Sequence, residues 1–336
     1  MGNKATQPRS FNTIRRSQTK ARAKRRKIQR VVLLAMFATI ALILLSLLVL
    51  GGFAIAGAII DARPDTTTDN NDTDPSAPVT EVVFTQITKA ADDIHSGQLI
   101  LVNKNNRYTF PVGVSLLRIY DNMATKPNGS TIYRPVSADY KLEVETLQAL
   151  NTMMSQHYEY DDAATFAISS AFRTFEDQED LTSSNVPAGY SDHHTGYCVA
   201  IKYSDNKTSL ESDHWIYQNC YKYGFVVRYP EGKESITDVP GYTHCLRYVG
   251  VAHATYMYQN DLCMEEYLDL LKNNYNSSTK RLTIAAADGF SYEVYYVAAS
   301  GDQVTTFDVP SNYQYTVSGD NRSGFIVTVK IADPAA

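Results

Sequence analysis

The sequence predicts an α+β protein in which a mixed helix-and-sheet domain is preceded by one transmembrane helix and followed by a small all-β module. Three observations lead to this prediction. An uncharged apolar run of 30 residues lies near the start of the chain. Residues 98–271 alternate between strand-like and helix-like hydrophobic patterns, and the chain after residue 280 carries strand patterns alone. With 336 residues, of which 44% are hydrophobic, the chain is not a wholly disordered protein.

Residues 1–30 form a strongly basic segment with 11 Lys and Arg residues and no acidic residue. The rest of the chain carries 20 basic and 36 acidic residues, so the formal net charge of −5 conceals a basic end and an acidic remainder. The segment lacks apolar periodicity and predicts a disordered cytoplasmic tail. Nucleic acid is the less favoured partner, because a basic cluster directly before an apolar run is what the positive-inside rule expects. The same cluster is suited to anionic lipid headgroups.

Residues 31–60 are the apolar run and predict a single membrane-spanning helix, since about 20 residues suffice to cross the hydrocarbon core. A cleaved signal peptide is the alternative, because Ala54 to Ala56 resembles a cleavage site. Its apolar region would however have only ~7–15 residues. We therefore expect an uncleaved anchor in the cell membrane, with a cytoplasmic N-terminus and an extracellular C-terminal domain. Residues 61–80, rich in Asp, Thr, Asn and Pro, predict a flexible stalk.

Residues 81–278 form the predicted mixed domain. Residues 98–103 predict a buried strand that leads into a polar turn at 104–106. Apolar residues spaced by three or four predict an amphipathic helix over 140–157. Strands are predicted at 165–169, 199–201 and 225–229, and helices at 212–223 and 262–271. Glu265 and Glu266 are expected on the polar side of the last helix.

Residues 279–336 form the predicted β-rich C-terminal module. Strand patterns occur at 282–286, 292–298, 304–309, 313–317 and 325–331, with Gly-containing turns between several of them. No set of side chains suited to catalysis occurs there. The expected role is packing or contact with the cell wall.

Three stretches carry the residues most typical of a functional site. Residues 170–178 read Ser-Ala-Phe-Arg-Thr-Phe-Glu-Asp-Gln, residues 191–200 read Ser-Asp-His-His-Thr-Gly-Tyr-Cys-Val-Ala, and residues 241–250 read Gly-Tyr-Thr-His-Cys-Leu-Arg-Tyr-Val-Gly. Together they resemble VanY-type D-alanyl-D-alanine carboxypeptidases, which are LAS-type zinc metallopeptidases. The corresponding family patterns are Ser-x-[Tyr/Phe]-Arg-x-x-x-x-Gln, Ser-x-His-x-x-Gly-x-Ala-x-Asp, and Glu-x-x-His followed by an aromatic residue or Leu and then by Arg-Tyr-Val-Gly. The resemblance covers residues 99–271 and implies a fold of helices and antiparallel sheet.

The resemblance assigns substrate recognition to Arg173, Gln178 and Ser191. A carboxypeptidase needs a fixed cation for the terminal carboxylate of its substrate, and Arg offers a two-pronged donor for that group. The implied partner is a peptidoglycan stem peptide that ends in D-Ala. All three residues are present, so the recognition half of the site is retained.

The resemblance also implies a zinc cofactor, but the sequence departs from the family pattern at most zinc-site positions. A hydrolytic zinc site needs three ligands, an open position for water and a nearby base. The first family His is retained as His193, whereas Ala200 stands at the Asp position, Cys245 at the second His position and Tyr242 at the position of the base. A Cys thiolate binds zinc, Ala does not, and Tyr with a pKa near ~10 is a poor base. No residue is therefore assigned as catalytic, and zinc is expected only if the protein is active.

His194 and His244 lie beside the lost ligand positions. Adjacent residues on a strand face opposite sides, so either would bind a metal only after a local shift. Surface or supporting histidines are the favoured interpretation.

The four cysteines leave two interpretations open. Family geometry implies that a disulfide between Cys198 and Cys245 closes the former metal site, with Cys220 and Cys263 as the second pair, although four cysteines permit three pairings. The rival is a zinc site made of Cys198, Cys245 and His193, which has suitable ligand types but no base.

The favoured functional hypothesis is a membrane-anchored, wall-facing VanY-like protein that recognises D-Ala-ended stem peptides and has lost most or all zinc-dependent hydrolysis. The first alternative is an active zinc D,D-carboxypeptidase that uses shifted ligands. The second is a structural membrane protein with an idle cleft. The contrast between retained Arg173, Gln178 and Ser191 and altered Ala200 and Tyr242 favours the first hypothesis.

Overall fold

The computed structural model of the chain describes residues 82–109, 114–181, 186–203, 211, 214–277 and 280–331. The predicted basic tail, membrane helix and stalk at residues 1–80 lie outside these ranges. Within the ranges themselves, no helix is both long and apolar enough to span a membrane.

A five-stranded sheet lies at the centre of the predicted mixed domain. Its strands, in spatial order, are β3 (Tyr133–Pro135), β5 (Phe166–Ser170), β6 (Cys198–Tyr203), β8 (Tyr242–Tyr248) and β7 (Phe225–Tyr229). All neighbouring pairs are antiparallel except β3 and β5, which are parallel. The expected antiparallel sheet is thus confirmed except at one edge, where a short parallel strand is added.

The predicted amphipathic helix is confirmed as α1 (Val144–Tyr160). The carboxylate of Glu143 caps its first turn by accepting hydrogen bonds from the backbone N–H groups of Glu145 and Thr146. Leu147, Leu150, Met153 and Met154 are buried, and they pack in one core with the sheet residues Ile168, Val199, Ile201 and Leu246. Each such side chain contributes roughly 1.5–3 kcal/mol on burial. The helix therefore holds the sheet from one face.

The remaining elements of the mixed domain are short. The helices are α2 (Phe175–Glu179), α3 (Trp215–Asn219), α4 (Glu234–Thr237), α5 (Val251–Gln259) and α6 (Met264–Asn274). Single 3₁₀ turns occur at Ala91–His95, Asp192–Thr195 and Cys220–Tyr223, and a small ribbon pairs β2 (Leu116–Arg118) with β4 (Lys141–Glu143). The predicted helix over 212–223 is thus seen as α3 and a 3₁₀ turn.

Residues 99–102 are buried as predicted but do not form a strand, so that prediction was wrong. The backbone is not paired with a neighbouring strand. Instead, side chains supply the donors: Arg247 donates to the carbonyl of Ile100, and Arg228 to that of Val102. Buried backbone carbonyls need a donor, and here two guanidinium groups take the place of a strand.

Strands alone follow residue 280, as the pattern predicted. A four-stranded sheet has the order β12 (Gln314–Gly319), β13 (Gly324–Ile331), β10 (Ser291–Ala298) and β9 (Leu282–Ala285). The fifth strand, β11 (Val304–Pro310), pairs instead with β1 (Phe84–Ala90) from the other end of the described chain. Side chains of this sheet share one core with α5 and α6. The residues after 280 thus pack directly against the preceding helices.

His253 connects α5 to both of its neighbours in that shared core. Its ring Nδ1 lies 2.7 Å from the hydroxyl of Tyr267 on α6, and its Nε2 lies 2.9 Å from the hydroxyl of Thr328 on β13. The side chain is fully buried, and burial lowers the pKa of His253 from 6.5 to about 3. The neutral imidazole is therefore the form that the folded protein accommodates.

Acidification below pH 6.5 is expected to destabilise the fold through His253. Between the unfolded pKa near 6.5 and the folded pKa, the unfolded chain binds one more proton, so stability falls as pH falls. Lowering the pH from 6.5 to 5 should cost about 2 kcal/mol at this residue. Urea unfolding of the wild type and of His253→Gln at both pH values measures the effect. Identical pH dependence in the two proteins would refute it.

Candidate active-site cleft

The two stretches that resemble halves of a zinc site lie on neighbouring strands. In the register of β6 and β8, Ala200 faces Cys245, and Cys198 faces Arg247. The 3₁₀ turn Asp192–Thr195 precedes β6, and Gly196 ends it with φ of 75°, a left-handed conformation that favours glycine. A Cβ at Gly196 would also approach the side chain of Leu116 to 2.9 Å. The turn therefore places His193 close to the first residues of β6.

Two thiols and one imidazole form a buried cluster between β6, β8 and the 3₁₀ turn, here called the floor of the cleft. The Sγ atoms of Cys198 and Cys245 are 2.9 Å apart, and the Cys198 Sγ lies 4.0 Å from Nε2 of His193. One ligand atom from each of the three residues lies within 4.8 Å of the others, and all three side chains are buried. Nδ1 of His193 has no hydrogen-bond partner among the described residues. Cys198 lies on the same face of β6 as Ala200, as expected for residues two apart.

Arg173 lies beside this floor in a fixed position. Its Nη1 donates to Oε1 of Gln178 at 2.8 Å, and its Nη2 donates to Oγ of Ser170 at 2.5 Å. Gln178 is buried, and its amide nitrogen donates in turn to the carbonyl of Val186. Within the described residues, no carboxylate pairs with the Arg173 guanidinium. The result is a half-buried cation whose charge is left for a ligand.

A groove with a volume of about 650 Å³ is lined in part by Arg173, whereas His193, Cys198 and Cys245 are not part of its lining. Arg118 and Lys141 add positive charge to its lining, and Asp139 and Asp177 add negative charge. Phe172 supplies an apolar surface. The groove is therefore large and polar enough for a short peptide with charged groups.

A buried ion network lies behind the floor. The Asp192 carboxylate accepts from Nε of Arg228 at 2.5 Å and from Nη1 of Arg247. Glu265 accepts from two nitrogens of Arg228, at 2.8 and 3.0 Å. Burial alone would raise the pKa of Glu265, but the Arg228 guanidinium outweighs it and holds that pKa below its usual value. Since Asp192 stands between Ser191 and His193 in sequence, the network fixes the backbone that carries them.

Comparison with known proteins agrees with this geometry. The sequence model of the family described as VanY, D-alanyl-D-alanine carboxypeptidase, matches residues 139–251. A D-alanyl-D-alanine carboxypeptidase of Enterococcus faecium is 29% identical over 249 residues, covering 72% of this chain and 78% of the relative. The predicted resemblance to the VanY family is therefore confirmed over residues 139–251. A carboxypeptidase of the same description from Enterococcus faecalis is 30% identical over 170 residues, which cover 41% of this chain and 63% of that protein.

A solved structure shows the same fold. The vancomycin-resistance D,D-dipeptidase VanXYg, in complex with a D-Ala-D-Ala phosphinate analogue, matches with a TM-score of 0.61 at 23% identity. The match covers 74% of this chain and the whole of that one. The expected mixed helix-and-sheet fold of the VanY type is therefore confirmed.

The VanY zinc set that the resemblance predicts does not fit the residues present. Ala200 offers only a methyl group, directly opposite Cys245 on the next strand. Tyr242, at the position of the base, is 45% exposed. Burial of its hydroxyl, together with the neighbouring Cys245 thiol, raises the pKa of Tyr242 above its usual value. Of the predicted ligands, His193 and Cys245 are near each other, but neither the carboxylate nor the base of a hydrolytic VanY site is present.

The two histidines beside the lost ligands are buried, so of the two expected roles, surface or supporting, the surface role is excluded. His194 supports the site: its Nδ1 lies 2.9 Å from the carbonyl of Arg173, and its Nε2 accepts from the backbone N–H of Gly189. His244 lies against the ring of Tyr242, with centroids 3.6 Å apart, and neither of its ring nitrogens has a hydrogen-bond partner among the described residues. Neither histidine belongs to the cluster at the floor.

The predicted disulfides are not formed in the structure, where all four cysteines are free and buried. The close approach predicted for Cys198 and Cys245 is present, but at 2.9 Å the two sulfur atoms are not bonded, since a disulfide requires about 2.05 Å. Cys220 instead contacts the carbonyl of Tyr217, and Cys263 occupies the N-cap of α6. Burial raises the pKa of the Cys220 and Cys263 thiols to about 12. Both are therefore protonated thiols at neutral pH.

Sequence reasoning missed two contributors to the site. Ser170 was part of a matched motif but was given no role, and the structure shows its hydroxyl holding Arg173. Asp192 was overlooked because it stands at a variable position of its motif. The two-residue alternation of Phe166, Ile168 and Ser170, all buried in β5, is the signal that would have placed Ser170 on the inner face. Ser191, to which the resemblance assigns substrate recognition, is buried.

Proposed function

We propose that this VanY-family protein recognises peptidoglycan stem peptides that end in D-Ala and has lost most or all of the family's zinc-dependent hydrolysis. The observation that carries the proposal is the Arg173 guanidinium, held by Gln178 and Ser170 with no carboxylate partner in the described chain. In the family pattern, Ala200 and Tyr242 stand at the positions of a zinc ligand and of the general base.

Recognition depends on how Arg173 is held. Its two contacts use one N–H on each terminal nitrogen, and each of these nitrogens carries a second N–H. The free pair matches the two oxygens of a terminal carboxylate, and a rigid donor loses little entropy on binding. Gln178 therefore acts as a positioning residue for Arg173. This arrangement favours peptides with a free C-terminal carboxylate.

Hydrolysis requires a proton acceptor for the attacking water and a charge that stabilises the tetrahedral oxyanion. The phenol of Tyr242 stays protonated at neutral pH, because burial and the Cys245 thiol raise its pKa further. Ala200 supplies no ligand atom to replace the carboxylate. The family's route to a nucleophilic water is thus not available to these residues.

The proposal includes the cellular setting. An anchor at residues 31–60, with the basic tail inside the cell, would hold the domain on the wall-facing side of the membrane. Contact of the tail with anionic lipid is part of the same proposal. Stem peptides would then be within reach of the domain on its stalk.

Titration with a synthetic peptide ending in Lys-D-Ala-D-Ala tests the function. We expect the free-acid peptide to bind at least about tenfold more tightly than its C-terminal amide, because one charge-assisted contact is worth roughly 1.5–3 kcal/mol. D-Alanine release, followed by mass spectrometry, should not exceed the buffer control. Release that is abolished by a chelator and by His193→Ala would establish an active enzyme instead. Equal weak binding of both peptides would point to an idle cleft.

A further inference from the structure

The family's zinc ligands are incomplete, yet three ligand types still converge at the floor of the cleft. We infer that His193, Cys198 and Cys245 form a thiolate-rich site for a thiophilic divalent ion of the zinc class. This inference goes beyond the proposed function and does not depend on it. It concerns a ligand set different from that of the VanY pattern, in which the position of Cys198 carries Ala.

Compared with the family pattern, one potential zinc ligand on β6 lies two residues earlier in the sequence. Position 200 holds Ala where the pattern has a carboxylate, and position 198 holds a thiol where the pattern has no ligand. Both positions face the same side of β6, two residues apart. The number of potential ligands therefore stays at three although the carboxylate is gone.

The distances fit a tetrahedral ion with small adjustments. Zn–S bonds of about 2.3 Å and Zn–N bonds of about 2.0 Å place neighbouring ligand atoms roughly 3.5–3.8 Å apart. The Cys198–Cys245 sulfur separation is 2.9 Å, and Cys198 Sγ to His193 Nε2 is 4.0 Å. Side-chain shifts of about 1 Å bring all three to bonding distance.

The imidazole of His193 provides an independent observation. Its side chain is 93% buried, and Nδ1 has no hydrogen-bond partner in the described chain, while Nε2 has only the 4.0 Å contact with a thiol. Buried polar atoms are nearly always paired, so such an exception calls for an explanation. An ion bound at Nε2 would replace the long thiol contact there, and Nδ1 would then carry the ring proton.

The types of ligand atom determine which ion the site prefers and how strongly that ion would polarise a substrate. Two sulfur atoms and one imidazole nitrogen favour zinc-class ions over magnesium or calcium, which prefer oxygen ligands. Two thiolates also cancel the charge of a divalent ion. Such an ion polarises a substrate less than one held by two neutral histidines and a single carboxylate. The site would thus stabilise the cleft rather than drive hydrolysis.

Metal analysis of the full chain, purified in detergent with a reductant and without chelator, tests the inference. We expect about one zinc per chain, and added Co²⁺ should give a near-ultraviolet thiolate charge-transfer band. Cys198→Ala, which restores the residue of the family pattern, should lower zinc affinity more than about 100-fold. Cys263→Ser is the matched control, because it removes a buried thiol outside the cluster and places a favourable N-cap residue at α6. It should retain the zinc.

Three outcomes would overturn the inference. They are absence of zinc and of the Co²⁺ band in the reduced wild type, unchanged zinc affinity in Cys198→Ala, and a Cys198–Cys245 disulfide in protein isolated without reductant. Circular dichroism establishes that each variant is folded. Binding of the Lys-D-Ala-D-Ala peptide, measured on the same samples, separates this inference from the proposed function. Peptide binding without zinc refutes only the metal site, and zinc without peptide binding refutes only the recognition proposal.

Discussion

Replacing Asp192 by Asn is expected to lower the free energy of unfolding by roughly 3–5 kcal/mol, because two buried guanidinium groups lose the carboxylate that they share. Arg228 and Arg247 are both fully buried, and Asp192 accepts from each with a different oxygen. Glu265 balances only one of the two charges. Asn preserves the shape of the side chain but has one acceptor oxygen and no charge. Urea unfolding of both proteins at one pH measures the loss.

An exposed ion pair provides the control. Lys104→Ala removes the pair between Lys104 and Asp238, both of which are substantially exposed, and should cost about 0–1 kcal/mol. Asp192→Asn should also weaken peptide binding, since Asp192 fixes the backbone next to Ser191. A loss below about 1 kcal/mol would contradict the prediction, because it would mean that water solvates the two guanidinium groups in the variant.

Local patterns were enough to predict much of the fold. The spacing of Leu147, Leu150 and Met154 predicted α1, because one helical face must be apolar to pack on a sheet. The strands after residue 280 were predicted within one or two residues, since turn residues separate them. The meeting of Cys198 and Cys245 was also expected, but from the family resemblance rather than from the pattern.

Contacts between residues distant in sequence were not predicted, because they depend on which segments the fold buries together. Glu265 was placed on a solvent-facing side of its helix, since a carboxylate is usually exposed, yet it is buried against Arg228, 37 residues earlier. The pairing of β1 with β11 joins segments more than 200 residues apart, for which the sequence carries no local signal. Ile100 was assigned to a strand because it lies in an apolar run. Such a run does not show whether its backbone carbonyls accept hydrogen bonds from a neighbouring strand or, as here, from an arginine side chain.

Under the proposed function, recognition and catalysis depend on different elements of the fold. Arg173 is held by α2 and by β5 through Gln178 and Ser170, whereas the altered positions Ala200 and Tyr242 lie on β6 and β8. Because the two functions depend on different elements, substitutions on β6 and β8 leave the carboxylate-binding geometry in place. Loss of hydrolysis therefore need not entail loss of binding.

Arg173→Ala is expected to weaken binding of the free-acid Lys-D-Ala-D-Ala peptide by about 10- to 100-fold, the value of a charge-assisted contact of roughly 1.5–3 kcal/mol. The variant should bind the acid and the amide peptides equally, because the discriminating group is gone. Arg173→Lys keeps the charge but not the paired donors, and its affinity should lie between the two. Isothermal titration calorimetry with both peptides measures all four combinations.

The comparison of acid with amide makes this prediction specific to the contact. Arg134→Ala removes the same charge from the exposed edge strand β3 and should preserve the preference for the acid. Gln178→Ala keeps the Arg173 side chain but removes the acceptor of its 2.8 Å hydrogen bond. The preference for the acid over the amide peptide should therefore decrease without disappearing. If Arg173→Ala still prefers the acid, another cation of the groove binds the carboxylate, and Lys141 and Arg118 are the residues of its lining that carry one. If the preference disappears only in Arg173 variants, the guanidinium held by Gln178 and Ser170 is the group that recognises the terminal carboxylate.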